Sequence, residues 1–492
     1  MGETKNLSAL GLSPSDGSDP QISGLSVDSR LVKPGHLFAA LPGVNRHGGE
    51  FIEFAVRMDA AAILTDAEGL KIAGDKIGEC KVIIEDNPRR ALALAAARYY
   101  GAQPEHMIAV TGTNGKTSVA SFARQIWEAM GKSAVNFGTA GVEGSVTAPL
   151  SHTTPEPVTL HALLADLKAQ GVSHAAMEAS SHGLAQHRLD GVYLTAAAFT
   201  NFTQDHLDYH ASFEDYFEAK AGLFNRVLPP EGSAVLNIDD PKVAGVVALA
   251  EARGQDVITV GADADLSLLN ARFDATGQDI RYSWKGEIGT ARLDLIGGFQ
   301  AMNVLQAAAL VIACGAAPRV VFDTFAELQT VRGRMQLAAT RANGAAVFVD
   351  YAHTPDAVET ALKSIRPHVM GRLICVLGAG GDRDPYKRPL MGKAASDFAD
   401  VVFVTDDNPR TEDPASIRAM VLEGATGAAE VTEIGDRAEA ILRAVDALQP
   451  GDTLLIAGKG HETGQDIGDQ ILPFDDAEQA SIAVNALDGL GA

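Results

Sequence analysis

The chain has 492 residues, which is too long for one hydrophobic core, so we expect two to four domains. Its formal net charge of −23 disfavours nucleic acid as a partner, since phosphate contacts need a basic surface, and no apolar run is long enough to span a membrane. Three scattered cysteines (Cys80, Cys314, Cys375) and an N-terminus without a signal peptide or a myristoylation motif indicate a cytoplasmic protein, for which we expect a monomer.

The N-terminal part of the chain has the pattern of a small α/β domain. Short apolar runs at 61–64 and 81–84 predict strands. A helical pattern at 88–100 leads to Gly-Ala-Gln-Pro at 101–104, which is typical of a linker. We place three domains at residues 1–104, 105–334 and 335–492.

The second domain opens with Thr-Gly-Thr-Asn-Gly-Lys-Thr at 111–117, between an apolar run and a helical pattern. Glycines let such a turn aim backbone N–H groups at an anion, and the following helix adds the positive end of its dipole. Lys116 would reach the outer phosphates of a nucleotide, and the Thr117 hydroxyl would ligate Mg²⁺. Val110 stands where a usual phosphate loop has its first glycine, but we favour polyphosphate binding over an ordinary βα turn. The predicted nucleotide contacts are Gly112, Thr113, Asn114, Gly115, Lys116 and Thr117.

Acidic residues and histidines follow later strands of the same domain. Glu178 ends one apolar run, and Asp205 and His206 come after another. Carboxylate and imidazole groups at strand ends suit Mg²⁺–ATP. A helix N-terminus with acidic capping residues is the ordinary alternative for the second group. Zinc binding by His206 and His210 is disfavoured, because a third soft ligand is lacking.

The third domain has four short apolar runs that alternate with helical patterns, which predicts a parallel, doubly wound sheet of the Rossmann type. Such sheets bind ligands at the carboxyl ends of their strands. Each run ends in a polar cluster, namely Asp-Tyr-Ala-His at 350–353, Gly-Ala-Gly-Gly-Asp-Arg at 378–383, Asp-Asp-Asn-Pro-Arg at 406–410 and Gly-Lys-Gly-His-Glu at 458–462. We predict one composite site, in which Asp350 takes a ribose hydroxyl and His353 a phosphate. A plain strand exit before a helix that starts at Pro355 is the alternative for the first cluster.

The tetrapeptide Asp-Asn-Pro-Arg occurs twice, at 86–89 and at 407–410. The first copy precedes an Ala/Leu stretch and predicts an ordinary helix start, with Asn87 or Asp86 as the cap. The second copy follows a buried strand, and its Arg410 has the forked geometry that binds a carboxylate. We therefore assign ligand binding to the second copy.

Seven motifs, in order along nearly the whole chain, resemble those of the Mur ligases. They are 111–117 above, Ser-His-Thr-Thr-Pro (151–155), Glu-Ala-Ser-Ser-His-Gly-Leu (178–184), Tyr-Phe-Glu-Ala-Lys (216–220), Gly-Arg-Met (333–335), Asp-Tyr-Ala-His-Thr-Pro-Asp (350–356) and Gly-Lys-Gly-His-Glu (458–462). The resemblance implies an ATP-dependent amide-bond ligase of three α/β domains. The first would bind the UDP end of the substrate, the central phosphate-loop domain with its mostly parallel sheet would bind ATP, and the Rossmann-like C-terminal domain would bind an amino acid.

The resemblance also implies roles for individual residues. The UDP end would contact Ser29, Asn45 and His47, and the muramoyl-peptide would lie against Thr153, Thr154, Ser180, Gln186 and Arg188. Asn303 would face adenine, Arg334 would face the phosphates, and Gln300 stands where the family commonly has asparagine. Lys220 matches a carbamylated lysine, although by residue chemistry alone it passes for a surface lysine. The implied Mg²⁺ ligands are Thr117, Glu178, His206 and the Lys220 carbamate, and the implied catalytic residues are Lys116, Glu178, His206 and Lys220.

The second Asp-Asn-Pro-Arg copy bears on the third substrate, because family members that add meso-diaminopimelate carry this motif there. The resemblance implies that this amino acid is held by Arg383, Asp407, Asn408, Arg410, Gly458 and Glu462. Its distal end is a zwitterion, which needs an arginine for the carboxylate and a glutamate for the ammonium. Lysine lacks that carboxylate and would leave Arg410 unpaired, at a cost of roughly 1–3 kcal/mol.

The implied reaction adds meso-2,6-diaminopimelate to UDP-N-acetylmuramoyl-L-alanyl-D-glutamate, for peptidoglycan precursor synthesis. The D-Glu γ-carboxylate would attack the γ-phosphate of ATP, and the amine would capture the acyl phosphate once the third domain has closed. Two alternatives stay open. A folylpolyglutamate synthetase shares the phosphate loop and the carbamylated lysine, but it lacks Asp-Asn-Pro-Arg at that sheet edge and needs no UDP-binding domain. A phosphate-loop switch or motor ATPase would hydrolyse ATP without an acyl acceptor.

Overall fold

Three doubly wound α/β domains follow one another in the computed structural model, which describes residues 4–14, 16–43, 46–203, 205 and 209–489. The predicted α/β class, with a mostly parallel central sheet and a Rossmann-like C-terminal sheet, is confirmed. The boundaries at residues 104 and 334 stay a prediction. Among the helices of these described stretches, none combines the length and the apolar character that crossing a bilayer requires.

The N-terminal domain is built on a parallel four-stranded sheet in the order β3-β4-β5-β6. Its strands are β1 (Lys5–Asn6), β2 (Gln21–Ile22), β3 (Gly24–Ser26), β4 (His36–Ala39), β5 (Ala62–Thr65) and β6 (Lys81–Ile84), and its helices are α1 (Ile52–Arg57), α2 (Ala67–Ala73) and α3 (Pro88–Tyr100). Alternate strand residues face opposite layers, so Leu64 packs under α3 and Ile63 under α1 and α2. The Asn87 side chain accepts from the Arg90 N–H at 3.0 Å, which confirms the helix start predicted for the first Asp-Asn-Pro-Arg copy.

The central domain holds a ten-stranded sheet in the order β16-β15-β14-β13-β12-β11-β7-β10-β8-β9. Its strands are β7 (His106–Thr111), β8 (Ala134–Gly138), β9 (Gly141–Gly144), β10 (His174–Glu178), β11 (Ala196–Phe199), β12 (Ser233–Asn237), β13 (Asp256–Val260), β14 (Leu266–Asp274), β15 (Gly277–Trp284) and β16 (Glu287–Leu293). Its helices are α4 (Lys116–Ala129), α5 (Pro157–Ala169), α6 (Ser181–Ala185), α7 (Phe213–Gly222), α8 (Pro241–Ala244), α9 (Val246–Ala252), α10 (Phe299–Ala313) and α11 (Pro318–Asp323). β7 lies between β10 and β11, parallel to both, so the phosphate loop and Glu178 share one sheet edge.

The C-terminal domain has a six-stranded sheet in the order β17-β18-β22-β19-β20-β21, parallel except at the edge strand β17. Its strands are β17 (Gln336–Thr340), β18 (Ala346–Asp350), β19 (Leu373–Leu377), β20 (Val401–Val404), β21 (Glu430–Glu433), β22 (Thr453–Ala457), β23 (Gly464–Ile467) and β24 (Gln470–Pro473). Its helices are α12 (Pro355–Ile365), α13 (Lys387–Phe398), α14 (Pro414–Gly424), α15 (Arg437–Asp446) and α16 (Asp476–Asp488). One core layer packs under α12, α13 and α14, and the other under α15 and α16. All four polar clusters therefore leave the same edge of the sheet.

Candidate active site

The phosphate loop connects β7 to α4 in a conformation that depends on glycine. Gly112 has φ +141°, and a Cβ at this position would lie 1.9 Å from the Thr200 hydroxyl oxygen, so a larger residue is excluded. The Lys116 ammonium donates to the carbonyl oxygens of Gly112 at 2.9 Å and Thr113 at 2.8 Å. Burial lowers the pKa of Lys116. The loop is thus pre-shaped around its own lysine, which a bound phosphate would draw away.

Lys220 lies beneath the same loop, and its reading as a surface lysine is wrong. The side chain is 1% exposed, and its ammonium donates to the Gly112 carbonyl at 2.7 Å and lies 4.6 Å from the Tyr216 ring centre. Burial, and then the positive charge of Lys116, lowers the pKa of Lys220 well below its usual range. Two ammonium groups on one carbonyl oxygen repel each other, which favours the neutral form of Lys220, and the neutral amine is the form that reacts with CO₂. The site therefore fits a lysine that is carried as its carbamate.

Glu178 ends β10 beside the loop, and its carboxylate is buried. Its Oε1 accepts from the Thr139 N–H at 2.9 Å, and its Oε2 accepts from the Thr139 hydroxyl at 3.2 Å. The Thr117 hydroxyl oxygen accepts from Arg334 at 3.0 Å. Oxygen groups of these two kinds are the ligands that Mg²⁺ prefers. The predicted ligand His206 lies outside the described residues, and within those residues no cluster of three or more His, Cys, Asp or Glu side chains has the spacing of a metal site.

The predicted muramoyl-peptide residues form one hydrogen-bonded network next to Glu178. The Thr154 hydroxyl donates to the Glu178 carbonyl at 2.9 Å and accepts from the Ser180 N–H at 3.0 Å. Arg188 donates to the Thr154 carbonyl at 2.6 Å and to the Gln186 side chain at 2.8 Å. Thr153 joins through the Thr139 hydroxyl at 3.0 Å. The five residues thus lie together at the sheet edge that holds the phosphate loop.

A pocket of about 620 Å³ opens on the N-terminal domain. Ser29 lines it, together with Arg46 and the aromatic side chains of Phe51 and Phe54. The His47 side chain does not line this pocket. Its Nδ1 accepts from the Gly49 N–H at 2.9 Å, and its Nε2 lies 3.1 Å from the Asp66 carboxylate. The predicted contact Asn45 lies outside the described residues.

A cavity of about 420 Å³ lies at the carboxyl edge of the C-terminal sheet, and we call it the main cavity because the predicted amino-acid contacts line it. All six residues predicted to hold the amino acid line it, namely Arg383, Asp407, Asn408, Arg410, Gly458 and Glu462. His353 lines it from the first polar cluster, and His182 and Asp205 line it from the central domain. The composite site predicted from four strand ends is therefore one cavity, with one wall from the central domain.

The acidic and basic sides of this cavity are pre-arranged by internal contacts. Arg410 has φ +52°, and its guanidinium donates to the Gly381 carbonyl at 2.6 Å and lies 3.4 Å from the Asp466 carboxylate. On the other side, Asn408 donates to Glu462 Oε2 at 2.8 Å. The fully buried Lys459 donates to the same oxygen at 3.0 Å. The fork of Arg410 and the carboxylate of Glu462 are thus held by main-chain and side-chain partners.

The residues predicted to contact the nucleotide lie near the junction of the two domains. Both carboxylate oxygens of the buried Asp350 accept backbone N–H groups, from Met335 at 2.7 Å and Ala352 at 2.9 Å, and burial raises its pKa. His353 Nδ1 lies 2.7 Å from the Tyr351 carbonyl oxygen, so Nδ1 carries the proton and Nε2 is an acceptor in the neutral ring. Burial lowers the pKa of His353, so this ring would donate to a phosphate only after protonation.

Asn303 and Arg334 both lie against the C-terminal end of the phosphate loop, at Gly115 and Thr117. A Cβ on Gly115 would lie 2.8 Å from Asn303 Oδ1, and Asn303 donates to Gln300 at 3.1 Å. The Arg334 guanidinium lies 4.5 Å from the Tyr351 ring centre while it donates to Thr117. Both positions fit nucleotide contacts, and the assignment of Asn303 to adenine stays a prediction.

Sequence reasoning missed three sets of contacts that hold the site together. Asp356 Oδ2 accepts from Asn114 Nδ2 at 3.0 Å and from the Thr203 hydroxyl at 3.1 Å, which docks α12 on the phosphate loop. Arg388 is 2% exposed and binds Glu412 through two nitrogens at 2.9 and 2.7 Å, beneath the second and third polar clusters. Arg437 and Asp476 form a fully buried pair at 2.7 Å. Of these, only Asp356 belonged to a motif that the sequence singled out.

The same Arg437 also ties two of the polar clusters to the sheet. Its guanidinium donates to the Ala457 carbonyl at 3.0 Å and to the Asp406 carbonyl at 3.3 Å. These carbonyls directly precede Gly458 and Asp407, which line the main cavity. The buried ion pair therefore sets the distance between two walls of the site.

Comparisons with known proteins agree with this architecture. Three family models match the chain: the Mur ligase middle domain at 110–311, the Mur ligase glutamate ligase domain at 333–460 and the Mur ligase family catalytic domain at 21–100. The UDP-N-acetylmuramoyl-L-alanyl-D-glutamate–2,6-diaminopimelate ligase of Brucella melitensis is 48% identical over 96% of both chains. The ligase of the same name from Caulobacter vibrioides is 47% identical over 99% of this chain and 100% of its own.

A solved structure shows the same arrangement of domains. It is described as a UDP-N-acetylmuramoyl-L-alanyl-D-glutamate–2,6-diaminopimelate ligase and superposes with a TM-score of 0.72 at 32% identity. The match covers 98% of this chain and 99% of the other. Since the family models match all three domains and the relatives match nearly the full length, this chain belongs to the Mur ligase family.

Proposed function

We propose that the chain is an ATP-dependent ligase that joins meso-2,6-diaminopimelate to UDP-N-acetylmuramoyl-L-alanyl-D-glutamate in peptidoglycan precursor synthesis. The names of its full-length relatives support this reaction. The observation that carries it is the main cavity, in which the six predicted amino-acid contacts face Asp205 and His182 of the ATP-binding domain. An acceptor held there would lie against the domain that carries the phosphate loop.

The cavity has the charges that a distal amino-acid zwitterion requires. Arg410 offers a forked cation whose main-chain partner, the Gly381 carbonyl, fixes its direction. Glu462 offers a carboxylate for the ammonium, and Asn408 holds that carboxylate in place. Lysine would fill the same cavity without a distal carboxylate for Arg410, which would keep only Asp466 as its acidic partner, so discrimination follows from one lost charged contact.

The phosphate loop and its neighbours supply the activating half of the site. Lys116 would exchange its two loop carbonyls for phosphate oxygens, and Arg334 would add a second cation. Mg²⁺ would be held by Thr117, Glu178, the Lys220 carbamate and His206. A bound Mg²⁺ neutralises charge on the phosphates and on the entering carboxylate.

The reaction has two displacement steps. In the first, an oxygen of the D-Glu γ-carboxylate attacks the γ-phosphorus of ATP, ADP leaves, and an acyl phosphate forms. In the second, the diaminopimelate amine attacks the acyl carbon, loses a proton and expels inorganic phosphate. Phosphorylation is needed because a carboxylate alone is a poor acyl donor. The N-terminal pocket would hold the UDP end, and the Thr154 network would hold the peptide near Glu178. We place this activity in the cytoplasm and in a monomer.

Product analysis separates this proposal from its alternatives. The purified chain is incubated with ATP, Mg²⁺ and the UDP-linked dipeptide, and either diaminopimelate, lysine or no amino acid is added. We expect a tripeptide product with diaminopimelate and little ATP hydrolysis without an amino acid. Faster product formation with lysine would contradict the specificity. Undiminished hydrolysis without any acceptor would instead favour a switch or motor ATPase.

A matched pair of variants tests the role assigned to Arg410. Arg410→Ala removes the partner of the distal carboxylate and should lower kcat/KM for diaminopimelate by about 10- to 150-fold, which corresponds to about 1.5–3 kcal/mol. The residual activity with lysine should change much less. Arg443→Ala is the control, because Arg443 lies on α15 and pairs with Glu439 at the surface. Equal losses with both amino acids would show that Arg410 does not read the carboxylate.

A further inference from the structure

A second arginine lies beside Arg188 where the N-terminal and central domains meet. Arg89 belongs to the first Asp-Asn-Pro-Arg copy, in the first turn of α3, and its side chain is half-buried. Its guanidinium donates to the Pro42 carbonyl. Pro42 follows Leu41, which lines the pocket of about 620 Å³ in the N-terminal domain. Arg89 is therefore held at the edge of the pocket proposed for the UDP end.

Two neighbouring contacts bring Arg89 and Arg188 to the same place. Asn87 Nδ2 lies 2.9 Å from His187 Nε2, and Arg90 Nε lies 3.3 Å from the Asp190 carboxylate. These residues bracket Arg89 on one side of the interface and Arg188 on the other. The two positive charges act on each other, since the pKa of Arg188 is lowered first by burial and next by Arg89.

Neither of these two guanidiniums is in ion-pair contact with a carboxylate of the described residues. In the described parts of the chain, no carboxylate oxygen lies within 4 Å of a guanidinium nitrogen of Arg89 or Arg188. The nearby arginines Arg90 and Arg226 do have such a partner, since both pair with Asp190, at 3.3 and 3.0 Å. Glu156 attracts Arg188, but burial and Arg89 outweigh this attraction and lower the pKa of Arg188. Two half-buried cations that repel each other and have no carboxylate in contact are costly unless an anion joins them. The arrangement has the form of an anion site that a ligand completes.

We propose that Arg89 and Arg188 together bind an anionic group of the UDP-sugar peptide substrate, which makes Arg89 a substrate-binding residue. The inference rests on the proposed function. Arg188 also donates to the Thr154 carbonyl, and the Thr154 hydroxyl donates to the Glu178 carbonyl, so the pair lies between the UDP pocket and the activation site. Two parts of the substrate carry charge between these points, the diphosphate and the free α-carboxylate of the D-glutamyl end. Either would be bound by the two guanidinium forks.

The first test compares Arg89 with an arginine far from the proposed site. Arg89→Met keeps an apolar stem and removes the charge, and Arg443→Met does the same for a residue of α15 that is 64% exposed and paired with Glu439. We expect Arg89→Met to raise KM for the UDP-linked dipeptide by about 10- to 100-fold, with KM for diaminopimelate changed by less than about twofold. Arg443→Met should change both values by less than about twofold. An unchanged KM for the dipeptide in Arg89→Met would overturn the inference.

The second test identifies the anion with two substrate analogues. One carries an α-carboxamide in place of the α-carboxylate, and the other lacks the uridine diphosphate. The penalty of Arg89→Met should vanish with one analogue and persist with the other, and either pattern supports the site. A penalty that persists with both analogues would show that Arg89 acts on the fold and not on the substrate.

Direct calorimetric binding of the UDP-linked dipeptide, without ATP, keeps this inference separate from the proposed function. Wild-type chain that binds the dipeptide but forms no product with any amino acid would refute the ligase reaction while leaving the arginine pair testable. Weaker binding by Arg89→Met, with the same thermal midpoint as the wild type, is the expected result. Equal binding by the variant and the wild type would contradict it.

Discussion

The contact between Asp356 and the phosphate loop makes the docking of the C-terminal domain testable by one substitution. A single carboxylate oxygen accepts from Asn114 Nδ2 at 3.0 Å and from the Thr203 hydroxyl at 3.1 Å. Both donors belong to the central domain, whereas Asp356 lies in the first turn of α12. Asp356→Ala removes the shared acceptor and leaves two half-buried donors to find water.

The size of the effect follows from this geometry. A hydrogen bond to a charged acceptor contributes about 1.5–3 kcal/mol, and two bonds that share one half-buried oxygen contribute about 2–3 kcal/mol together. That corresponds to a shift of about 30- to 150-fold in the equilibrium between docked and undocked domains. Asp356→Asn keeps an amide oxygen as the acceptor and should shift this equilibrium by less than about tenfold.

Hydrogen–deuterium exchange measures this docking directly. In Asp356→Ala, the amides of 111–117 and of α12 should exchange faster than in the wild type, while those of α16, on the far layer of the sheet, keep their rate. KM for ATP should rise in the same variant, because the loop loses its partner. Wild-type exchange rates in Asp356→Ala would refute the argument. Equal effects of the alanine and asparagine variants would show that the acceptor oxygen is not what docks the domains.

Three further outcomes are expected. Removal of CO₂ and bicarbonate should lower the turnover of the wild type reversibly, whereas Lys220→Ala should be inactive at any bicarbonate concentration; a wild type insensitive to bicarbonate would argue against the carbamate. Asp476→Asn leaves the fully buried Arg437 unpaired, so the free energy of unfolding in urea should fall by about 3–5 kcal/mol, and a loss below about 1 kcal/mol would contradict the pairing. Burial lowers the pKa of His161 from 6.5 to about 4, so the unfolded chain binds this proton first, and stability should fall by about 1.4 kcal/mol per pH unit as the pH drops from 6.5 towards 4. His161→Leu should remove that part of the slope, and an unchanged slope in urea unfolding would be evidence against it.

The parallel strands that the sequence predicted were recognisable because they are buried on both faces, whereas the parallel edge strand β21 is largely exposed and has no apolar run. Runs such as 107–110 and 373–377 have no polar interruption, and they fall within β7 and β19. The antiparallel meander β14, β15 and β16 carries no such signal, because its exposed positions alternate with buried ones and no flanking helical patterns mark it. Continuous apolar runs thus located the strands that carry the phosphate loop, Glu178 and the four polar clusters, and they did not reveal the meander.

The site was predictable where chemistry sits at a strand end, and it was not where the partner is distant in sequence. Glu178 could be placed beside the phosphate loop at the edge of the central sheet, and Asn408 and Arg410 beside the other polar clusters at the edge of the C-terminal sheet, because parallel strands of one sheet share their carboxyl edge. The burial of Lys220 depends on a carbonyl 108 residues away, and the role of Asp356 depends on a side chain 242 residues away. The first contact forms when the central domain folds and the second when two domains pack together, so no local pattern records either of them.

Arg334 links nucleotide binding to the junction between the central and C-terminal domains. It is the last residue of the predicted central domain. Its guanidinium donates to the Thr117 hydroxyl at 3.0 Å and packs against the Tyr351 ring of the C-terminal domain. A nucleotide–metal complex that binds the Thr117 hydroxyl must displace or alter the hydrogen bond from Arg334. The same side chain therefore responds both to nucleotide binding and to the relative orientation of the central and C-terminal domains, so the two are coupled directly at Arg334.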